Sequence, residues 1–205
     1  MNRSKLAVTC LLGSIAIALS VFPFAIGRAA DNNKIRWDIP SNNFKTSPVT
    51  VSPGGHASAI ANDGTSITLT GSGTFRSNSG DPQNVTGGGT WTTFAEDGVT
   101  VTGSGTYEVT RFVNFVLAPA PSPPNPVIDN ICSDCLIHSG LAVLRIAFSD
   151  GSEGVLVISC NFPGEGTPES VFEGITVSKD FIDYWNRTNP VPGVDGNRTL
   201  IHILQ

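Results

Sequence analysis

The sequence predicts an all-β fold: an antiparallel meander closing into a barrel-like domain with one short C-terminal helix. The alternative is a two-sheet β-sandwich. Three observations lead there. A glycine- and threonine-rich phrase recurs three times at constant spacing. Several short β-branched runs are separated by turn residues. Only 14% of the residues are charged, against 22 glycines, a balance that suits exported β-proteins better than helical ones.

In chain order, residues 1–29 read as a cleavable signal peptide. Arg3 and Lys5 precede a mostly apolar run, Leu6 to Phe22, and no acid appears before Asp31. Gly27-Arg28-Ala29 places small residues at −3 and −1 of a cut after Ala29. An uncleaved membrane anchor is the competing reading, but Thr9, Gly13, Ser14 and Ser20 dilute the run. Cleavage predicts a secreted or periplasmic protein with no stable membrane span. It removes three basic residues and no acid, so nine basic face 17 acidic residues and the net charge moves from −5 to −8. With no basic stripe, that balance argues against nucleic acid and anionic membranes as partners. Residues 30–205 then form a single all-β domain, long enough to bury a core.

Two weak strands are expected near Val49–Val51 and Ala57–Ile60. The repeat follows: Thr70-Gly71-Ser72-Gly73-Thr74-Phe75, Thr86-Gly87-Gly88-Gly89-Thr90-Trp91 and Thr102-Gly103-Ser104-Gly105-Thr106-Tyr107, each starting 16 residues after the last. Sixteen residues are too few for a βαβ crossover. The region therefore predicts antiparallel strands over about 66–76, 84–94 and 99–117. By the two-residue strand period, each copy presents two glycines and an aromatic on one face. Three reasons suit that recurrence: a ring covering a glycine of the neighbouring strand, tight bending of a coiling sheet, or room for a ligand against bare backbone. The third makes Phe75, Trp91 and Tyr107 the candidate ligand-binding residues. The first phrase resembles strands of dirigent-like and allene-oxide-cyclase-like barrels. The likeness ends with that phrase and assigns no family.

A proline-rich loop over 118–130 cannot hold a sheet ladder. Beyond it, Leu141–Phe148 and Val155–Cys160 flank a turn-rich stretch and predict a hairpin. Val171–Val177 predicts a strand. Ser178 then reads as an N-cap for a two-turn helix over Lys179–Asn186, packing through Phe181, Ile182 and Trp185. Thr199–Leu204 predicts a last strand.

The candidate chemistry is sparse. Cleavage removes Cys10 and leaves Cys132, Cys135 and Cys160. In an oxidising compartment two of them pair. The hairpin makes a Cys135–Cys160 or Cys132–Cys160 bridge plausible, and a Cys132–Cys135 bridge would close only a local loop. The competing readings are a zinc site adding His138 to the three thiolates, and a redox-active pair. The lone Cys-x-x-Cys supports both weakly, and no metal or cofactor is assigned. His56, His138 and His202 lie in no hydrolase or metalloprotease motif, and a satisfied or solvent-facing role is the expectation for His202. Glu169 with Glu173 and Asp180 with Asp183 are the carboxylate pairs weighed for hydrolysis. Glu173 is the best single candidate for a buried, shifted acid, although an edge position in solvent is favoured for it. Asn84, Asn186 and Asn197 start glycosylation sequons, relevant only in a eukaryotic secretory host. With no catalytic set, the expected function is an exported, non-catalytic domain binding a small apolar molecule or a surface partner. The alternatives are a secreted barrel isomerase or hydrolase, and a metal- or redox-linked protein using the cysteine cluster.

Overall fold

The computed structural model describes residues 34–77, 81–118, 127–161, 171–188 and 197–204. The leader assigned to 1–29, most of the proline-rich loop (119–126) and Glu169 lie outside them. Every regular element described is a strand, and no helix among the described residues is long and apolar enough to cross a membrane.

The chain opens with β1 (Lys34–Asp38), β2 (Ser41–Asn43), β3 (Val49–Ser52) and β4 (Ala57–Ile60). The repeat forms β5 (Ser66–Leu69), β6 (Ser72–Arg76), β7 (Val85–Phe94) and the long β8 (Val101–Leu117). Two short strands follow, β9 (Val127–Asp129) and β10 (Leu136–Ile137), and then the expected hairpin, β11 (Gly140–Phe148) and β12 (Glu153–Cys160). The chain ends with β13 (Gly174–Lys179), β14 (Ile182–Tyr184), β15 (Asn186–Thr188) and β16 (Leu200–Leu204).

The antiparallel meander is present as β7–β8–β11–β12–β13–β14. It forks at its other end, because the strand expected over 66–76 breaks at Thr70-Gly71. Gly71 has φ 141°, and a Cβ there would lie 2.5 Å from the Gly88 carbonyl oxygen and 2.6 Å from the Tyr107 hydroxyl. Only glycine fits that conformation and that space. After the break, β6 pairs with the first half of β7 and leads to β1, β16 and β10. Before it, β5 pairs with the second half of β7 and leads to β4 and β15. A separate three-stranded sheet, β2–β3–β9, has β9 parallel to β3.

One apolar core draws on nearly every strand of the large sheet. Trp37, Phe75, Ile67, Leu69, Leu144, Ile146, Leu156, Ile158, Ile175 and Ile201 are all within it and fully buried or nearly so. A smaller cluster, Val51, Ile137 and Leu200, sits beside the three-stranded sheet.

The glycine repeat works through register. Trp91 on β7 stands opposite Gly105 on β8, Gly89 opposite Tyr107, and Gly73 on β6 opposite Trp37 on β1. A Cβ on Gly105 would meet the Trp91 ring at 2.9 Å, one on Gly103 at 3.1 Å, and one on Gly73 the Trp37 ring nitrogen at 2.8 Å. The Trp91 and Trp37 rings therefore cover bare backbone of the next strand, as in aromatic covering of strand glycines. The repeat's threonines point outward and pair across strands: Thr74 with Thr86 at 2.9 Å and Thr70 with Thr90 at 2.8 Å.

Three expectations change. Among the described residues the ladders do not close into a barrel. Residues 182–188 reach from one branch to the other, β14 pairing with β13 and β15 with β4, with Trp185 unpaired between them. Side chains span this join: Asn197 donates to the Ser58 and Thr188 carbonyls, and Arg187 to the Glu173 carbonyl.

The helix over Lys179–Asn186 is absent. Lys179 pairs with Ile182 across a two-residue turn in which Asp180 adopts φ 50°. Aspartate tolerates this left-handed conformation, and such tight turns match the twist of a hairpin. Ser178, read as an N-cap, instead accepts the Val155 backbone N–H on β12. Phe181, Ile182 and Trp185, the supposed packing face, are exposed, and Tyr184 is the buried residue.

The disulfide joins Cys132 to Cys135, not either of them to Cys160. Cys160 pairs in register with Gly140, five residues past Cys135, and its side chain is sealed in the core as a free thiol. Cys132 and Cys135 lie in a half-buried turn, where the local bridge is the one within reach.

Candidate functional site

The three repeat aromatics are core residues, with 1, 4 and 4% of Phe75, Trp91 and Tyr107 exposed. Phe75 stacks on Phe112 at 5.0 Å and meets Phe115 edge-on at 5.3 Å. Trp91 and Tyr107 meet around Phe148, at 5.8 and 6.2 Å. Their polar atoms are satisfied by backbone: the Trp91 indole N–H donates to Thr106, and the Tyr107 hydroxyl to Thr70. Lys179 caps this group, its ammonium 4.6 Å from the Trp91 ring centre, and pairs with Asp150. Tyr107 also borders an open depression of about 440 Å³ along Thr106–Glu108 and Ala147–Ser149. Trp91 and Tyr107 are thus brought together, while Phe75 belongs to a different ring cluster.

A more enclosed cavity lies between the three-stranded sheet and the end of the large one. Its volume is about 210 Å³. Val49 and Val51 of β3, Val127 of β9 and Leu200 of β16 supply apolar walls, and Phe44, Asn42, Asn161, Glu173, Arg198 and Thr199 complete it.

Glu173 gives the cavity its chemistry. It precedes β13, next to Gly174 at φ 117°, where a Cβ would strike the Asn197 carboxamide at 2.7 Å. Its carboxyl bridges two strand ends. The Asn161 backbone N–H, just past β12, donates to one oxygen at 2.6 Å, and that of Thr199, just before β16, to the other at 2.7 Å. Burial disfavours the charged form and outweighs these N–H bonds and the charges of Arg198 and Arg187, so the carboxyl is raised from 4.5 to about 7. The solvent-facing edge position expected for Glu173 is therefore not what the fold provides.

A second polar cluster ties the two sheets together beside this cavity. Arg36 grips Asp38 through two hydrogen bonds of 2.8 Å. His202 on β16 is fully buried. Its Nε2 lies 2.8 Å from Asp129 of β9, and its Nδ1 3.6 Å from Asp38, too far for a hydrogen bond. Burial pulls the His202 pKa down, but the Asp129 bond and the two carboxylate charges raise it overall. Asp129 moves the opposite way. Burial raises it, but His202 and the backbone N–H groups of Ile131 and Cys132 bring it below its ordinary value. An imidazole and carboxylates are thus within reach of one another, but enclosed rather than on the cavity wall.

The cysteine cluster read from sequence does not converge. Two of its sulfurs are joined to each other, and Cys160 lies in the core. His138 is nearly buried, and burial lowers its pKa. Among the described residues no group of three or more His, Cys, Asp or Glu side chains is placed to hold a metal ion. Of the sequon asparagines, Asn197 spends its side-chain amide on Ser58 and Thr188.

Sequence reasoning singled out Glu173 but missed its surroundings. Asn42, Val49, Val127, Asn161 and Arg198 come from separate segments that only the folded sheets bring together. Compared with protein-family models, curated proteins and solved structures, the chain finds no match.

Proposed function

We propose that this chain is an exported, non-catalytic binding domain, and that the cavity lined in part by Glu173 takes a small, largely apolar molecule. The observation that carries this reading is a space of about 210 Å³ in which Phe44, Val49, Val51, Val127 and Leu200 form the apolar lining and the desolvated Glu173 carboxyl is among the polar groups. Apolar walls with convergent polar groups are the usual make-up of a ligand site. The size sets the scale of the ligand: an engineered cavity of roughly 150 Å³ holds benzene, so a single ring with a short substituent fits here. The Cys132–Cys135 disulfide suits an oxidising compartment and supports export.

The reading is tested by thermal shift with a panel of compact apolar molecules. A true ligand at about 100 times its Kd stabilises by about 2.7 kcal/mol and raises Tm by several degrees. Val49→Trp, which fills the cavity from a half-buried position, abolishes that rise and leaves the unliganded Tm near wild type. A panel with no stabilising member, or full binding by Val49→Trp, would overturn the proposal.

A further inference from the structure

Resting on that reading, we infer that the cavity's ligand is a compact apolar monocarboxylate, its carboxylate held by Arg198 and its hydrocarbon lying between Val49, Val51, Val127 and Leu200. The charge arrangement points there. The chain is acidic overall, with 17 acidic against 12 basic residues, yet a guanidinium stands at this cavity. Arg198 is exposed, with its guanidinium 6.0 Å from the centre of the Phe44 ring, also a cavity residue. Among the described residues its charge has no ion-pair partner. The pairs formed are Arg36–Asp38, Lys179–Asp150 and those of His202 with Asp38 and Asp129. A planar fork of N–H donors lining a cavity matches a carboxylate and fixes its orientation. The Lys179 ammonium, by contrast, is already spent on Asp150 and the Trp91 ring.

Glu173 separates a carboxylate from other polar heads. Both its oxygens already accept backbone N–H groups, so it offers an incoming molecule little further acceptance. Near neutral pH it is partly protonated, and the protonated carboxyl has an O–H to donate. A ligand carboxylate brings a second negative charge close to Glu173 and favours that protonated form. Binding of a carboxylate therefore takes up a proton, whereas binding of an amine would release one. Among the described residues the walls hold no second cation for a dicarboxylate, and the volume sets an upper size near a ring with a two-carbon acid arm.

The test is calorimetric titration of the full chain with phenylacetate, phenylacetamide and phenethylamine, near pH 7, in two buffers of different ionisation heat. Phenylacetate is expected to bind with net proton uptake. Its affinity should fall by up to tenfold per pH unit above 7, and Arg198→Gln should weaken it at least tenfold while the unliganded chain still melts cooperatively. Phenylacetamide binding as tightly as phenylacetate would keep the cavity and overturn the carboxylate. Phenethylamine binding more tightly, with proton release, would do the same. Binding of none of the three would overturn both this inference and the reading it rests on.

Discussion

Alanine substitution along the glycine repeat should cost stability in an order set by what each new methyl meets. At Gly73 the Cβ would lie 2.2 Å from the Thr86 carbonyl oxygen, 2.8 Å from the Gly87 Cα and 2.8 Å from the Trp37 ring nitrogen. Two of these are backbone atoms of the paired strand and cannot yield without disturbing the ladder. Overpacking of this kind costs about 1–3 kcal/mol, and the lower unfolded-state entropy of alanine returns about 0.4–1 kcal/mol. A net loss of about 1–2 kcal/mol is expected for Gly73→Ala. At Gly105 the nearest atom is the Ser149 hydroxyl, which can rotate, but it would then release the Thr106 backbone N–H it accepts at 3.0 Å. That adds about 1 kcal/mol to a smaller clash. At Gly103 the contacts are Trp91 ring carbons at 3.1 Å and the Thr93 hydroxyl at 3.2 Å, all side-chain atoms. Gly103→Ala should stay within about 0.5 kcal/mol of wild type. Urea unfolding at constant m reads the series directly. With m of about 2 kcal/mol/M, Gly73→Ala should lower the midpoint by about 0.5–1 M. A Gly73→Ala midpoint at or above wild type, or a larger loss for Gly103→Ala, would refute the close backbone approach on which this order rests.

Two further outcomes follow from the polar links. His202→Gln should destabilise by about 3 kcal/mol, because it leaves Asp129 buried without its cation. His202 is raised, so its contribution is complete below its unfolded value near 6.5 and is lost as pH rises through the folded value. Asp129 is lowered, so its share holds above 3.8 and is lost as pH falls through its folded value. The gap between wild type and His202→Gln in urea melts should be widest at pH 4–6.5, roughly, and should narrow at alkaline pH; a gap that grows with pH contradicts the pairing. Separately, reduction of Cys132–Cys135 closes off only a short-loop constraint, worth about 2 kcal/mol. Thiol titration in denaturant should find, Cys10 aside, one reactive thiol before reduction and three after, with a matching midpoint loss; an unchanged midpoint after full reduction would show the bridge contributes nothing.

Much of the sheet was legible because its signals are local. The 16-residue period places Trp91 opposite Gly105 through a short turn, and the Asp150-Gly151 turn places β11 on β12. The break at Gly71 was not legible, because glycine at that point is equally compatible with a straight strand. The helix misreading has the same origin: apolar residues at i, i+1 and i+4 over eight residues suit either a helix or a tight hairpin. What decided between them was Tyr184 docking into a core built by distant strands. The cavity was the least legible, since its walls come from β3, β9, β16 and the ends of β12 and β13. No period or spacing links Val49 to Arg198.

Glu173 shows why the cavity, rather than the repeat, carries the functional argument. As a structural staple it needs only to accept the Asn161 and Thr199 N–H groups. A neutral oxygen acceptor could do that without titrating. Holding a carboxyl at about 7 instead of 4.5 opposes folding increasingly as pH rises from 4.5, and by about 3 kcal/mol once pH exceeds 7. The rings and glycines of the repeat contain no such conflict, since their polar atoms are satisfied and their faces covered. A desolvated acid beside a guanidinium that has no ion-pair partner among the described residues is expensive as architecture; on the proposed reading, a ligand carboxylate would supply the missing charge.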